Sequence, residues 1–165
     1  MINNKRLKIG IDYHGVIDHH PDYFASFCQT AIDRGHEIYI ITGGPEAEVV
    51  KKLKSANIVY NHIFAIVDYY EGKNEVSHFA DGKFHIADDL WNRAKGDYCL
   101  CQGINIHIDD SKEYIKWFQT PYCLYDDHNH CCYLGNNCKL DLSFDFNQVI
   151  DNIENLCLHK NLRFI

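Results

Sequence analysis

Three acidic residues and one threonine stand where apolar runs stop, and their types suit metal and phosphate chemistry. The segment Leu7-Lys-Ile-Gly-Ile-Asp-Tyr-His-Gly15 leads straight into a lone carboxylate, Asp12. A second run, Glu37-Ile-Tyr-Ile-Ile-Thr42, ends in Thr42 and continues as Gly43-Gly44-Pro45. A third, Ile104-Asn-Ile-His-Ile-Asp109, ends in the pair Asp109-Asp110, followed by Ser111. Adjacent carboxylates repel each other unless a cation sits between them and a further acid. With Asp12 they supply hard oxygen ligands suited to Mg²⁺, which keeps several waters and takes few protein carboxylates. In Thr42-Gly43-Gly44-Pro45, Pro45 suits the first position of a helix. The amides before it then point outward as a ready phosphate site, and the Thr42 hydroxyl adds a donor. Plainer readings stand beside these: a turn carboxylate, a threonine cap, and a helix N-cap at Asp110 or Ser111.

The elements that must position these groups follow from periodicity. Strands are expected at Leu7–Asp12, Glu37–Thr42, Ile63–Asp68, Ile104–Asp109 and, shorter, at Pro121–Tyr125. Helical spacing joins Phe24, Phe27, Cys28, Ala31 and Ile32, after Pro21 and before Gly35. It recurs at Val49, Val50 and Leu53, and at Leu90, Trp91, Ala94, Tyr98 and Cys101, closed by Gly103. Val149, Ile150, Ile153, Leu156 and Cys157 mark a last helix. Residues 73–85 are polar, with Asp81-Gly82 as a turn in a small hairpin or loop. Residues 126–146 are the least regular. Strands alternating with helices predict one α/β domain over residues 1–165, a doubly wound, Rossmann-like parallel sheet of five strands with helices on both faces. The carboxyl ends of such strands share one rim, so Asp12, Thr42 and Asp109-Asp110 should converge. That convergence says more than any one motif.

Composition bounds the function. The chain has 165 residues, enough for one real core. A net charge of −7 argues against a nucleic-acid polymer as partner. The start carries no apolar run of signal-peptide length and no window approaches a membrane span, so a cytoplasmic protein is expected. The eight cysteines then read as thiols in a reducing compartment rather than as a disulfide framework. His128, His130, Cys131, Cys132 and Cys138 carry zinc-ligand chemistry, but in no recognised finger spacing, and a polar loop is the alternative. His19 and His20 follow the first strand, either as a flap over the site or as exposed turn residues. Tyr13, Tyr69, Tyr70 and Trp91 offer stacking faces or core packing.

The run into Asp12-Tyr13-His14-Gly15 resembles the first motif of the haloacid dehalogenase superfamily, an apolar strand followed by Asp-x-Asp-Gly, with His14 in place of the second Asp. The stretch from Lys95 to Asp110 resembles the third and fourth motifs of its capless phosphatases, notably the deoxyribonucleotidase-like group. The resemblance covers about residues 12–111. It implies a Mg²⁺-dependent phosphomonoesterase acting on a small phosphorylated substrate, such as a nucleotide. Asp12 would be nucleophile and metal ligand, and the backbone carbonyl of His14 a second ligand. Thr42 and the Gly43 amide would hold phosphate. Lys95 would neutralise Asp12 and phosphate, with Lys83 as a weaker candidate. Asp110 would bind Mg²⁺ with Asp109 close by. Residues 13–20 and 69–88 leave room for only a minimal cap. Histidine at position 14 keeps a titratable group, and imidazoles in general, ionising at ~6.5, suit acid–base work near neutrality. Three outcomes stay open: a phosphatase using His14, a slow or specialised one, and a non-catalytic phosphate-binding module.

Overall fold

A computed structural model describes residues 6–134 and 138–159. The central sheet is built from β1 (Lys8–Ile11), β2 (Glu37–Thr42) and β3 (His62–Ala65), with β6 (Ile106–Asp109) and β7 (Tyr122–Asp126) from further along the chain. Two more strands, β8 (Cys131–Leu134) and β9 (Cys138–Asp141), complete it. The order is β3-β2-β1-β6-β7-β8-β9. The first five strands in that order pair in parallel, and β8 and β9 add on antiparallel. A separate hairpin joins β4 (Ser77–His78) to β5 (Phe84–His85).

The helices are α1 (Pro21–Asp33), α2 (Glu46–Ser55), α3 (Ile66–Glu71), α4 (Asp88–Gln102) and α5 (Phe146–His159). Strand alternation sorts them onto two faces. Ile38 and Ile40 of β2 point into a core filled from α1, α2 and α5 by Phe24, Phe27, Val49, Leu53, Ile150 and Ile153. Tyr39 and Ile41 point the other way, into a core with Val67 and Tyr70 of α3 and Ala94 and Cys99 of α4. Each fully buried isoleucine in this strand contributes roughly 1.5–3 kcal/mol. Through α1 and α2 the chain winds outward from β1 to β3. It then returns over the opposite face, through α3 and α4, to lay β6 on the free side of β1. The winding therefore reverses between β1 and β6, the position where open α/β sheets bind ligands.

The five expected strands are all present, but among the described residues the sheet has seven. The two extra strands come from the stretch that sequence left irregular. There β8 reads Cys-Cys-Tyr-Leu with three of four residues buried, so no polar alternation announces it. The expected strand at Ile63–Asp68 breaks after Ala65 and its second half becomes α3. A short apolar run does not by itself separate strand from helix. Asp68 is therefore a helical residue, not a strand end. The hairpin over 73–85 is present, its turn closed by Phe79 N–H to Lys83 C=O at 2.8 Å, with Gly82 at φ +82°. Among the described residues no helix is long and apolar enough to cross a membrane.

Candidate functional site

Asp12 follows the last residue of β1, and its N–H donates to Ile108 C=O of the neighbouring β6 at 2.9 Å. This bond locks the two strand ends together. It places Asp12 beside Asp109, which ends β6, and Asp110, which follows it. One oxygen from each of the three lies within 4.8 Å of the others. Beyond Asp12 the chain makes a wide turn closed by Asp18 N–H to Tyr13 C=O at 3.0 Å. Gly15 within it has φ +79°, and a Cβ there would run into the Asp110 carboxylate. Glycine is needed at that position for both reasons.

Lys95 reaches this group from the middle of α4. It is buried, and its ammonium donates to Asp12 Oδ2 at 2.6 Å and to Asp109 Oδ2 at 2.8 Å. Asp109 accepts further bonds from His107 Nε2 at 3.1 Å and from Ser111 N–H at 3.0 Å. An ionised carboxylate only accepts, so His107 Nε2 carries the proton. Burial lowers the His107 pKa and so favours the neutral ring, with Asp109 opposing. The cluster thus holds two carboxylates against one ammonium. Burial alone would lower the Lys95 pKa, but Asp12 and Asp109 outweigh it and keep the ammonium charged. Burial would raise Asp109, but the His107 bond and Lys95 hold it well below the usual range. The excess negative charge falls on Asp12. Burial pushes its carboxyl up to about 7, with Lys95 opposing and Asp109 adding to the rise. Asp110, exposed toward the cleft, is raised by partial burial and by Asp109. A site of hard oxygens with one negative charge too many fits a small divalent cation.

The cluster floors a cleft of about 460 Å³. Its lining includes Asp12, Lys95 and Asp110, His14 with Gly43 and Gly44, and the rings of Phe84, Trp91 and Tyr114. Trp91 Nε1–H donates to Tyr114 Oη at 3.0 Å, and its ring packs on Gly43. Thr42 is fully buried behind the glycines, and its Oγ1 accepts from Gly44 N–H at 3.2 Å. Pro45 is the cap residue rather than the first helical one, and Glu46 N–H of α2 already donates to Asp68 Oδ2 at 2.8 Å. The glycine loop, not the helix end, is what faces the cleft.

The structure thus gathers Asp12, His14, Gly43, Lys95, Asp109 and Asp110. It keeps Lys83 apart, exposed on the hairpin and paired with Asp81. Of the four aromatic residues read from sequence, Trp91 lines the cleft while Tyr13 and Tyr70 are buried in the core. His19 and His20 pair with Asp127 at 3.4 and 2.7 Å beside the site. Among the described residues, the only grouping with metal-binding spacing is Asp12, Asp109 and Asp110. Cys131 and Cys132 are buried on β8, His130 Nδ1 lies 3.2 Å from Tyr125 Oη, and the Cys138 side chain lies outside the described residues. Sequence reading missed His107, Phe84 and Tyr114. The signal for His107 was a polar residue inside an apolar strand, two positions before Asp109 and so on the same face.

No protein-family model, no curated protein and no solved structure matches this chain.

Proposed function

We propose that the chain is a Mg²⁺-dependent phosphomonoesterase working through an aspartyl-phosphate, in the manner of the haloacid dehalogenase superfamily that its motifs resemble. One observation carries this reading: Lys95 is paired to Asp12 and Asp109 at once, beside Asp110, at the ends of the two strands where the winding reverses. Asp12, Asp110 and the backbone carbonyl of His14 would hold Mg²⁺, which when bound supplies positive charge against the phosphate, with Asp109 close behind. Asp109 is already occupied by three donors and serves mainly to hold Lys95.

Phosphoryl transfer needs positioning and charge neutralisation more than covalent help. Lys95 neutralises Asp12 and the phosphate while the Gly43 loop cradles it. A carboxylate oxygen of Asp12 bonds to phosphorus as the ester P–O bond breaks. The leaving alkoxide takes a proton from the His14 imidazolium. Water then gives a proton back to His14 and attacks phosphorus, the P–O bond to Asp12 breaks, and inorganic phosphate leaves. The substrate is a small phosphate ester, and the rings of Phe84, Trp91 and Tyr114 favour a flat organic group, nucleotides included. A cytoplasmic setting belongs to the same reading, since Cys28, Cys99, Cys101, Cys131 and Cys132 are free thiols, as a reducing compartment keeps them.

The test is turnover of p-nitrophenyl phosphate and of alkyl phosphates with Mg²⁺. The parent should turn over, and Asp12→Asn should be folded and inactive, because an amide is a poor nucleophile. Near-normal turnover by Asp12→Asn overturns the aspartyl-phosphate. If both the parent and His14→Asp bind phosphate and Mg²⁺ but hydrolyse no ester, the chain is a phosphate-binding module instead.

A further inference from the structure

His14 does not stand alone at the mouth of the cleft. Its Nδ1 lies 3.3 Å from Asp18 Oδ2, four residues on, across the same wide turn. The other oxygen of that carboxylate, Asp18 Oδ1, accepts from Gly15 N–H at 2.7 Å. Asp18 is thereby fixed to the backbone of the turn by one oxygen and free to hold the imidazole with the other. The opposite edge of the ring lies against Gly44, where an added Cβ would meet His14 Nε2 at 2.9 Å. Gly44 lines the cleft. The ring is therefore held at Nδ1 on the side away from the glycine loop, while Nε2 lies against that loop.

We infer that Asp18 is a positioning residue for His14: it holds the imidazole with Nδ1–H toward its own carboxylate, so that Nε2 is the atom that carries the proton to and from the cleft. The chemistry requires a fixed tautomer. A neutral imidazole has one N–H and one lone pair, and which nitrogen holds which is set by the bond the other makes. A carboxylate accepts only, so Nδ1 must be the donor and Nε2 the base. A lone carboxyl at position 14 would need no such partner, because its two oxygens are equivalent. The role rests on the proposed phosphatase reading, whereas the tautomer does not.

Asp18→Asn separates this role from a plain loop clamp. The amide oxygen still accepts from Gly15 N–H, so the turn is kept. The NH₂ now faces Nδ1 and turns it into an acceptor, which moves the proton to Nε2. Nitrogen-15 NMR of the full chain, at a pH where His14 is neutral, should show Nδ1–H in the parent and in Asp18→Glu, and Nε2–H in Asp18→Asn. A parent ring that is mainly Nε2–H, or a tautomer unchanged by Asp18→Asn, overturns the inference whether or not the protein is an enzyme. In turnover, Asp18→Asn should lower kcat for alkyl phosphates roughly 10-fold or more, a part of the 10²–10⁴ that such a proton transfer contributes. KM should stay near the parent value, the loss should be smaller with p-nitrophenyl phosphate, and Asp18→Glu should recover most of the rate. Equal losses on both esters would mark Asp18 as purely structural and overturn the role.

Discussion

At the scale of single residues, the buried cluster is built against its own stability. Two carboxylates share one ammonium, and the imbalance appears as the Asp12 carboxyl raised to about 7 by burial. The unfolded chain releases that proton near an ordinary carboxylate pKa of about 4. Between these values the folded protein binds more protons than the unfolded one, so the contribution to stability is full below about 4 and is lost as pH rises through 7. Without divalent cation, the melting temperature should therefore fall by several degrees between pH 5 and pH 8. Asp12→Asn leaves Lys95 paired with Asp109 alone, so it should flatten this fall and melt higher than the parent at pH 8. Calorimetric melts of both proteins across that range decide it, and identical slopes would contradict the charge assignment. Of these residues, Asp12, Lys95, Asp109 and Asp110 were legible because each sits at a strand end or at motif spacing. His107 and Asp18 were not. His107 bonds the Asp109 side chain, and Asp18 bonds the His14 ring and the Gly15 N–H, and no spacing rule for a ligand site includes them.

At the scale of elements, the parts that were legible are those with a strong period and a clear stop. The apolar runs into Asp12, Thr42 and Asp109 gave β1, β2 and β6, and the helical stripes gave α1, α2, α4 and α5. The failures share a cause. Residues 63–68 and 131–134 are apolar without a resolvable period, so the break into α3 and the addition of β8 depend on what the neighbouring strands offer. Asp68 shows the consequence, since as a helical residue it caps α2 rather than joining the rim. The β4–β5 hairpin stands outside the main sheet, and its strand residues are exposed. Its contribution to the site is Phe84, whose ring lies 6.0 Å from that of Trp91. Replacing residues 77–85 by a short glycine-serine linker should leave the melting temperature within a few degrees of the parent. It should also raise KM for esters with a flat organic group while sparing small alkyl phosphates. Steady-state kinetics on the two ester types test this, and an equal change on both would deny the hairpin a part in selectivity.

At the scale of the whole molecule, the topology decides when the site comes into being. Lys95 is 83 residues from Asp12 in sequence, and the bond from Lys8 N–H to the Asn105 side chain, where β6 comes up beside β1, spans 97. By contrast, β7 and β8 meet across a turn of four residues. Contacts of such different loop length form at different times, because distant pairing must overcome a larger closure entropy before it is rewarded. On loop length alone, the β7–β9 meander and the β1–α1–β2 unit are expected to organise early and the seam between β1 and β6 to zip late. The acidic cluster lies on that seam, so a divalent cation held there, as proposed, would find its full set of ligands only after the barrier has been crossed. Added Mg²⁺ should then slow unfolding and leave the refolding rate unchanged, which stopped-flow chevrons with and without the cation would reveal. A refolding limb accelerated by Mg²⁺ would place the seam in the transition state instead. By this route the strand order that creates the cleft would also make a bound cation a kinetic latch, holding shut the last join that the chain makes.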